Sequence, residues 1–406
     1  MKPSLSVQSP VRYAGLLPVL FSFFVMGFVD IVGTATANIK AEMGLSNALA
    51  GLLPNFIFVW FVVCSIPVGL MMNRIGRRAT VQISNFITIA GMLTPLPMIL
   101  GLMPATLAIY LVTFALLGIG NTMVLVALNP LLTNVVSGDR LAGSMTLGQF
   151  VKALSSLLGP QIVLFATVQL GNWAYVFPIY AGITALSSAW LALAPIPREA
   201  VAETGSQSFA GAFSLLRDPY LLRLFFCILL IVGIDVGMNF FIPIIFHDVF
   251  GLGHASNINT LYFAARAVGS FVCALLLTRY AASRILLRTM IAAIAAYLAM
   301  MGLAATPTSS MAVKALFCVL FLPVGFATAN VFSIVFSFAI RHRPEQADLI
   351  SSLLIMGVAG GGAVTFAMGL IADSLGIVGG MSVLLLCMLY LLVTARYIRR
   401  REQQHP

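Results

Sequence analysis

Apolar residues fall in long blocks along this chain, and polar residues are gathered into short segments between them. Twelve blocks stand out, beginning near Tyr13, Ala48, Ile83, Thr106, Ala142, Ala174, Leu221, Ile258, Leu286, Met311, Leu349 and Ile377. Each is long enough to cross about 30 Å of hydrocarbon as a helix rising about 1.5 Å per residue. Lipid offers no partners to backbone N–H and C=O groups, so a spanning segment is a helix or a strand of a closed barrel. A barrel strand needs only about 9–11 residues, far fewer than these blocks contain. The pattern predicts an all-α membrane protein with twelve transmembrane helices.

The longest polar stretch, "PIPREAVAETGSQSFAGAFSLLRDP" (Pro195–Pro219), separates the sixth block from the seventh. It divides the chain into a six-helix bundle at 1–194, a linker at 195–219 and a second six-helix bundle at 220–406. A soft internal repeat supports two pseudo-symmetric halves. "GFVDIVG" in span 1 is echoed by "VGIDVG" in span 7, and "GIGNT" in span 4 by "GFATAN" in span 10.

Composition agrees with a membrane setting: 60% of residues are hydrophobic and only 8% charged, against about 25% charged in soluble domains. The net charge of +10 is a topology signal, because the basic residues lie in loops. With the N-terminus inside, the inner segments hold 18 of the 22 Lys and Arg residues, while Lys40 and Lys314 lie in outer loops. The positive-inside rule then puts both termini in the cytoplasm of a bacterial-type inner membrane. The expected partners are a small-molecule substrate, protons and membrane lipid, with no nucleic acid and a monomeric state. No cleavable signal peptide is evident.

The five cysteines (Cys64, Cys227, Cys273, Cys318, Cys387) lie within apolar runs without CxxC or Cys/His spacing, which argues against a zinc site or a disulfide framework. The four histidines stand at or beyond span ends. No metal or cofactor is expected. No Ser/His/Asp, metal or nucleotide constellation points to an enzyme, and the mid-span "GVAGGG" (Gly357–Gly362) lacks the G-K-[ST] ending of a phosphate loop.

Four ionisable residues fall deep inside spans: Asp30, Lys152, Asp235 and Arg266. An ionised side chain at the centre of a bilayer costs about 2.5–3.5 kcal/mol on insertion scales, and such residues usually mark an ion or substrate path. The alternative is that Asp30 pairs with Lys152 and Asp235 with Arg266 merely to fix helix packing, although buried pairs are a poor source of stability. A carboxylate in a low-dielectric interior holds protons more tightly than in water, and a nearby cation opposes this. Asp30 and Lys152 are therefore the candidate proton-coupling pair.

Two loop motifs resemble those of the major facilitator superfamily. "GLMMNRIGRR" (Gly69–Arg78) resembles its G-x-L-x-D-R-x-G-R-[KR] signature, with Asn73 where the acid is usual, which predicts a weaker charge lock in this half. "GLIADSLG" (Gly369–Gly376) looks like a second-half equivalent that keeps Asp373. Gly69, Asn73, Arg74, Gly76, Arg77, Arg78 and Asp373 are thus the candidate gating residues. Two six-helix halves repeated in parallel is also that superfamily's layout.

Within it, "MGFVDIV", "ALNPLLTNV", "MTLGQFVKALSSLLGP" and "SSLLIMGVAGGGAVTFAMGLIAD" are similar to the fucose permease-like sugar:proton symporters. The resemblance implies that Asp30 is the span-1 acid whose protonation couples to sugar movement, and that Gln149 is the span-5 glutamine. The family's span-4 glutamate falls on Leu125 and its span-5 asparagine on Lys152. Spans 4, 5, 7 and 10 line the cavity in the superfamily, which selects Asn121, Gln149, Asn239 and Asn330 as substrate hydrogen-bonding candidates alongside Lys152, Asp235 and Arg266. Such polar groups also join helices in lipid, and Phe58, Trp60 and Tyr262 are aromatics that could stack on a ring.

The expected function is alternating-access, proton-coupled uptake of a monosaccharide. Two rivals stand beside it: a carrier or exporter of an organic or sugar acid, held by Lys152 and Arg266, and a non-transporting receptor or scaffold that retains the fold.

Overall fold

In the computed structural model, residues 13–45, 47–136, 140–196, 209–248, 250, 258–305 and 310–404 are described. Twelve membrane helices alternate in direction. Helix α1 is built from Tyr13–Met26, a 3-10 turn Gly27–Ile31 and Val32–Met43. It is followed by α2 (Asn47–Ile75), α3 (Arg77–Leu93), α4 (Leu107–Leu132), α5 (Arg140–Leu170) and α6 (Val176–Leu193). The second set is α7 (Pro219–Asp248), α8 (Ile258–Leu276), α9 (Ala282–Ala304) and α10 (Met311–His342). Helix α11 starts at Ala347–Met356, passes a 3-10 turn at Gly357–Ala359 and continues into Gly360–Gln404. That last stretch breaks at Gly376 (φ 74, ψ −179), and α12 follows the break. Eleven of these are long and apolar enough to span, and the twelfth, α8, contains the shorter apolar stretch Thr260–Leu276.

The hydrophobic blocks locate these helices well, with one instructive difference. Helix α3 begins at Arg77, six residues before the start of the third apolar block at Ile83. Gly76 (φ 88) turns the chain out of α2 in a conformation that disfavours any side chain, and the two arginines that open α3 both find partners.

Helix α4 packs against α2 and α3, α6 against α3, and α1 against α5 and α6. In the second set α7 packs on α10 and on the Gly360–Gln404 stretch, α10 on α8 and α9, and α9 on α12. Contacts between the sets run through α2 with α11, α4 with α11, and α5 with α8 and α10. The mid-span glycines of α11 serve close packing: a Cβ on Gly360 would collide with the backbone carbonyl of Leu229 in α7. Large apolar side chains such as Phe86, Val168, Leu186, Phe366 and Leu386 point outward, as a lipid-facing surface requires.

Residues 197–208 of the expected linker lie outside the described residues. After them, Phe209–Ser214 forms a short helix lying against α2 and α11, with Ala212 and Leu215 buried. Asp218 then caps α7. Its Oδ1 accepts the Tyr220 N–H at 2.9 Å, and its Oδ2 lies 2.9 Å from Arg343 NH2 and 3.0 Å from His342 Nε2, at the end of α10. Burial alone would raise the Asp218 carboxyl, but the hydrogen bond to His342 and those from the Tyr220 and Leu221 backbone outweigh it and hold it below the usual carboxylate range. Asp218→Ala should cost about 0.5–2 kcal/mol, the range for losing an N-cap side chain, measured by chemical denaturation of the purified protein. Because the carboxyl is lowered on folding, this stabilisation is complete at neutral pH and is lost only as the pH falls through the lowered value.

Candidate functional site

Midway through α1 the helix tightens into the 3-10 turn Gly27–Ile31, which carries Asp30. Helix α5 approaches closely there, since a Cβ at Gly27 would lie 2.7 Å from the Lys152 carbonyl oxygen and 2.7 Å from Ser155 Cβ. This brings Lys152 Nζ to 3.6 Å from Asp30 Oδ2. Ser156, one turn further along α5, donates its hydroxyl to the same oxygen. Phe28, beside the acid in sequence, stacks on Tyr180 of α6 at 3.8 Å.

The second acid is held differently. In α7, Asp235 Oδ2 receives Arg266 NH1 of α8 at 2.7 Å, and Oδ1 accepts the Tyr262 hydroxyl at 3.0 Å. The Tyr262 hydroxyl lies 3.2 Å from that of Thr328 on α10. Both oxygens of Asp235 are engaged at hydrogen-bonding distance, whereas 3.6 Å between Lys152 and Asp30 is an ion pair without a hydrogen bond. Arg266 Nε is buried without a protein partner.

The structure therefore makes both pairings that the positions of the four charges suggested. Two acids and two bases, one pair in each half of the chain, are equal in number. The four side chains keep between 17% and 23% exposure.

The neutral candidates are spread along the same helices. Asn121 is buried in α4, and Gln149 is half-buried on α5, three residues before Lys152. Asn239 donates to the Asp235 backbone carbonyl at 2.8 Å, and Asn330 to that of Phe326 at 3.0 Å. These two amides are thus partly committed to their own helices, while Asn330 Oδ1 is buried without a protein partner. Tyr262 is fully buried and serves Asp235. Among the described residues, no group of three or more His, Cys, Asp and Glu side chains could hold a metal ion.

On the face that carries most of the arginines, the halves are fastened together. Arg77 at the start of α3 places Nε 2.9 Å from Asp348 Oδ1 in the first turn of α11. The same guanidinium donates through NH1 to Pro130 O, Thr133 Oγ1 and Asn134 Oδ1 at the end of α4, at 3.2, 3.0 and 2.7 Å. A second link depends on a proline. Pro130 has no N–H, so the carbonyl of Val126 one turn earlier lacks its helical donor. Ser351 of α11 supplies one across the interface, at 2.6 Å and fully buried. Nearby, a Cβ at Gly69 in α2 would collide with Ser352 Oγ of α11.

The candidate gating residues thus separate into distinct roles. Arg77 and Gly69 lie at the interface between the halves. Arg78 instead donates to Leu191 O and Ala192 O at 2.7 Å each, closing the end of α6 within its own half. Arg74 is exposed and Asn73 half-buried. Asp373 requires correction. Its side chain lies outside the described ones, but its backbone is near the far end of α11, whose first turn carries Asp348. A helix of that length separates the two positions by about 37 Å, so Asp373 lies on the opposite face and cannot join the Arg77 contacts. The acid that meets Arg77 is Asp348, which the loop motif does not contain. Its sequence signal is an acid in the first turn of a helix.

Residues 19–366 match the sequence model of the Major Facilitator Superfamily. The chain belongs to that superfamily. Membership makes it a multi-pass membrane carrier and not an enzyme. No curated protein matches it in sequence. Among solved structures, the E. coli fucose:proton symporter FucP superposes with a TM-score of 0.79 at 18% identity, over 96% of this chain and 99% of that one. The proton:xylose symporter XylE gives 0.73 at 13% identity, over 96% and 95%. The human organic anion transporter MFSD10 gives 0.73 at 16%, over 96% and 100%. At these identities the likeness is one of fold, shared by superfamily carriers of different cargo.

Proposed function

We propose that this superfamily member imports a monosaccharide together with protons, by alternating access between halves at 1–194 and 220–406 joined by the segment 195–219. The observation that carries the reading is the asymmetry of the central cluster. Asp235 is held at both oxygens, by Arg266 and by Tyr262, which suits a structural acid, whereas Asp30 meets its cation at 3.6 Å without a hydrogen bond and is the residue assigned to coupling. With both acids ionised the cluster is balanced, which suits a neutral polyhydroxylated solute better than an anion. The fold likeness to two sugar:proton symporters agrees with this. A carrier of organic or sugar acids is the second reading, favoured by the two cations at the cluster and by the likeness to an organic anion transporter.

The basic face is the cytoplasmic one in this proposal, with both termini inside a bacterial-type inner membrane and the protein a monomer. Arg77, Ser351 and the α2–α11 contact hold that face shut, and access to the central charges is from outside in this proposal. A cysteine at Ser310 in a cysteine-free background should then react with an impermeant reagent added outside, and one at Leu193 should not. Proteoliposomes with an inward proton gradient provide the functional test. Accumulation of neutral monosaccharides supports the proposal, whereas accumulation of sugar acids alone replaces it with the second reading. Binding without movement of any solute favours a receptor.

Ser351→Ala removes the donor to Val126 O and should favour opening of the basic face. The expected loss is about 1–3 kcal/mol, the cost of leaving a buried acceptor unsatisfied. A cysteine placed at Asn134 should label faster from the cytoplasmic side in that variant, and an unchanged rate would show that the bond does not help to hold the face shut.

A further inference from the structure

Helices α9 and α12 pack side by side and run in opposite directions. Ser283 at the start of α9 donates its hydroxyl to Glu402 near the end of α12, and further along the Tyr297 hydroxyl donates to Met381 O at 3.0 Å. Each helix turns an apolar stripe outward, with Ile291 and Leu298 exposed on α9 and Leu386 and Val393 on α12. Both stripes run on into arginine at the basic face. At about 3.6 residues per turn, Arg284 and Arg288 continue the line of Ile291 and Leu298, and Arg400 continues that of Leu386 and Val393, with Arg396 at its flank. Because Ser283 meets Glu402 and the helices are antiparallel, Arg284 falls level with Arg400 and Arg288 with Arg396.

The four arginines are exposed, and none of their guanidinium groups has an ion pair or hydrogen bond among the described residues. Across 279–304 and 386–404 the sole acid is Glu402, which Ser283 already engages. Cations between α7 and α12 are better provided for: Arg223 lies over the Tyr397 ring at 4.0 Å and Arg401 over that of Tyr220 at 4.3 Å. The first half differs too. The arginines that open α3, the counterpart of α9, are engaged by Asp348 and by the last carbonyls of α6. Arg284 and Arg288, by contrast, are like charges four residues apart, which repel on one helix face. They also stand in the first two turns of α9, where the helix dipole is already positive. Both effects are relieved when an anion joins the cluster.

We propose that the α9–α12 surface is a binding site for an anionic phospholipid, its headgroup held by Arg284 and Arg288 together with Arg396 and Arg400, and its acyl chains laid along the two apolar stripes. A planar guanidinium offers paired N–H donors that match phosphate oxygens, and basic pockets between membrane helices are suited to acidic headgroups. The stripes select a lipid over a free phosphate, because a soluble anion has no apolar surface to bury there. The bound lipid supplies the counter-charge that the chain lacks and ties α9 to α12. Its placement in the inner leaflet rests on the orientation proposed above, whereas the binding itself does not.

The test uses the full chain purified in detergent and titrated with phosphatidylglycerol or phosphatidylcholine, with bound lipid counted by native mass spectrometry. The parent protein should retain phosphatidylglycerol in preference to phosphatidylcholine, and inorganic phosphate should not displace it. The pair Arg284→Gln with Arg288→Gln, and the pair Arg396→Gln with Arg400→Gln, should each weaken retention by about fivefold for every arginine removed. A charge-matched pair, Arg74→Gln with Arg217→Gln, removes two exposed arginines outside α9 and α12 and should leave retention unchanged. If all three pairs weaken it equally, the attraction is one of net charge and the site does not exist. Displacement by inorganic phosphate would make this a free-anion site and overturn the lipid assignment. Should the arginine variants fail to fold, the parent in nanodiscs is treated with phenylglyoxal and its modified residues are mapped. Arg284, Arg288, Arg396 and Arg400 should be protected in phosphatidylglycerol relative to phosphatidylcholine, and equal modification in the two lipids overturns the proposal.

Discussion

Asp30→Asn should abolish accumulation of substrate against a gradient while leaving exchange of substrate across the membrane partly intact. Asparagine matches the shape of the protonated acid and can still meet Ser156, but it cannot release a proton. In the structure Asp30 has the looser of the two central pairings, and Lys152 and Ser156 address the same oxygen. A carrier locked in the protonated form equilibrates solute without harvesting the proton gradient, so the concentration ratio across the vesicle membrane should fall to one. Counterflow, which needs only binding and the swing of the loaded carrier, should persist. The measurement is uptake into proteoliposomes with and without a pH gradient, with counterflow on the same preparation. If Asp30→Asn still concentrates substrate with the parent's pH dependence, Asp30 is structural and Asp235 becomes the coupling acid.

Lys152→Gln separates the two substrate classes and carries the second large effect. If Lys152 serves the acids, its loss favours the protonated carboxyl of Asp30, because a nearby cation no longer opposes protonation. The pH profile of binding should then move upward, with little change in affinity at its optimum. The double change Asp30→Asn with Lys152→Gln should be no worse than Asp30→Asn alone, since it leaves no uncompensated charge. If Lys152 instead grips a substrate carboxylate, removing it should cost roughly 2–5 kcal/mol of binding, the scale for truncating one partner of a buried charge pair. The pH profile would then stay in place. Affinity and pH profile measured on the same variant decide between these outcomes. A large affinity loss with an unmoved profile would overturn the neutral-sugar proposal.

The membrane helices were legible in the sequence because a bilayer imposes its thickness on any segment that crosses it, whatever that segment later touches. The blocks beginning near Tyr13, Ala48, Thr106, Ile258 and Met311 start within a residue of the helices found. Span 3 was placed late because Arg77 and Arg78 read as loop until Asp348 and the end of α6 are seen to receive them. The central site was half legible. Four charges in apolar runs are conspicuous by their cost, and with two of each sign the pairings could be guessed. The difference between a 2.7 Å and a 3.6 Å pair could not, and the roles proposed for the two acids rest on it.

The basic face was read least well. The glycine and arginine motif was visible, but the acid assigned to it from the second half, Asp373, belongs to the other side of the membrane. A motif describes local chain geometry, and Gly76 and Gly376 do share a left-handed turn, yet only the helix count places a loop on one face or the other. Asp348, Ser351 and Ser352 look like ordinary polar residues at the start of a span, and Pro130 like an ordinary helix breaker. Their meaning arises where α11 meets α2 and α4, more than 200 residues apart in sequence. Sequence alone determined what lipid demands of each segment by itself: twelve helices, the costly charges within them at Asp30, Lys152, Asp235 and Arg266, and a basic face. Tertiary structure decided which groups meet, because an ion pair or a hydrogen bond across two halves depends on distances of a few ångström that no hydrophobic pattern encodes.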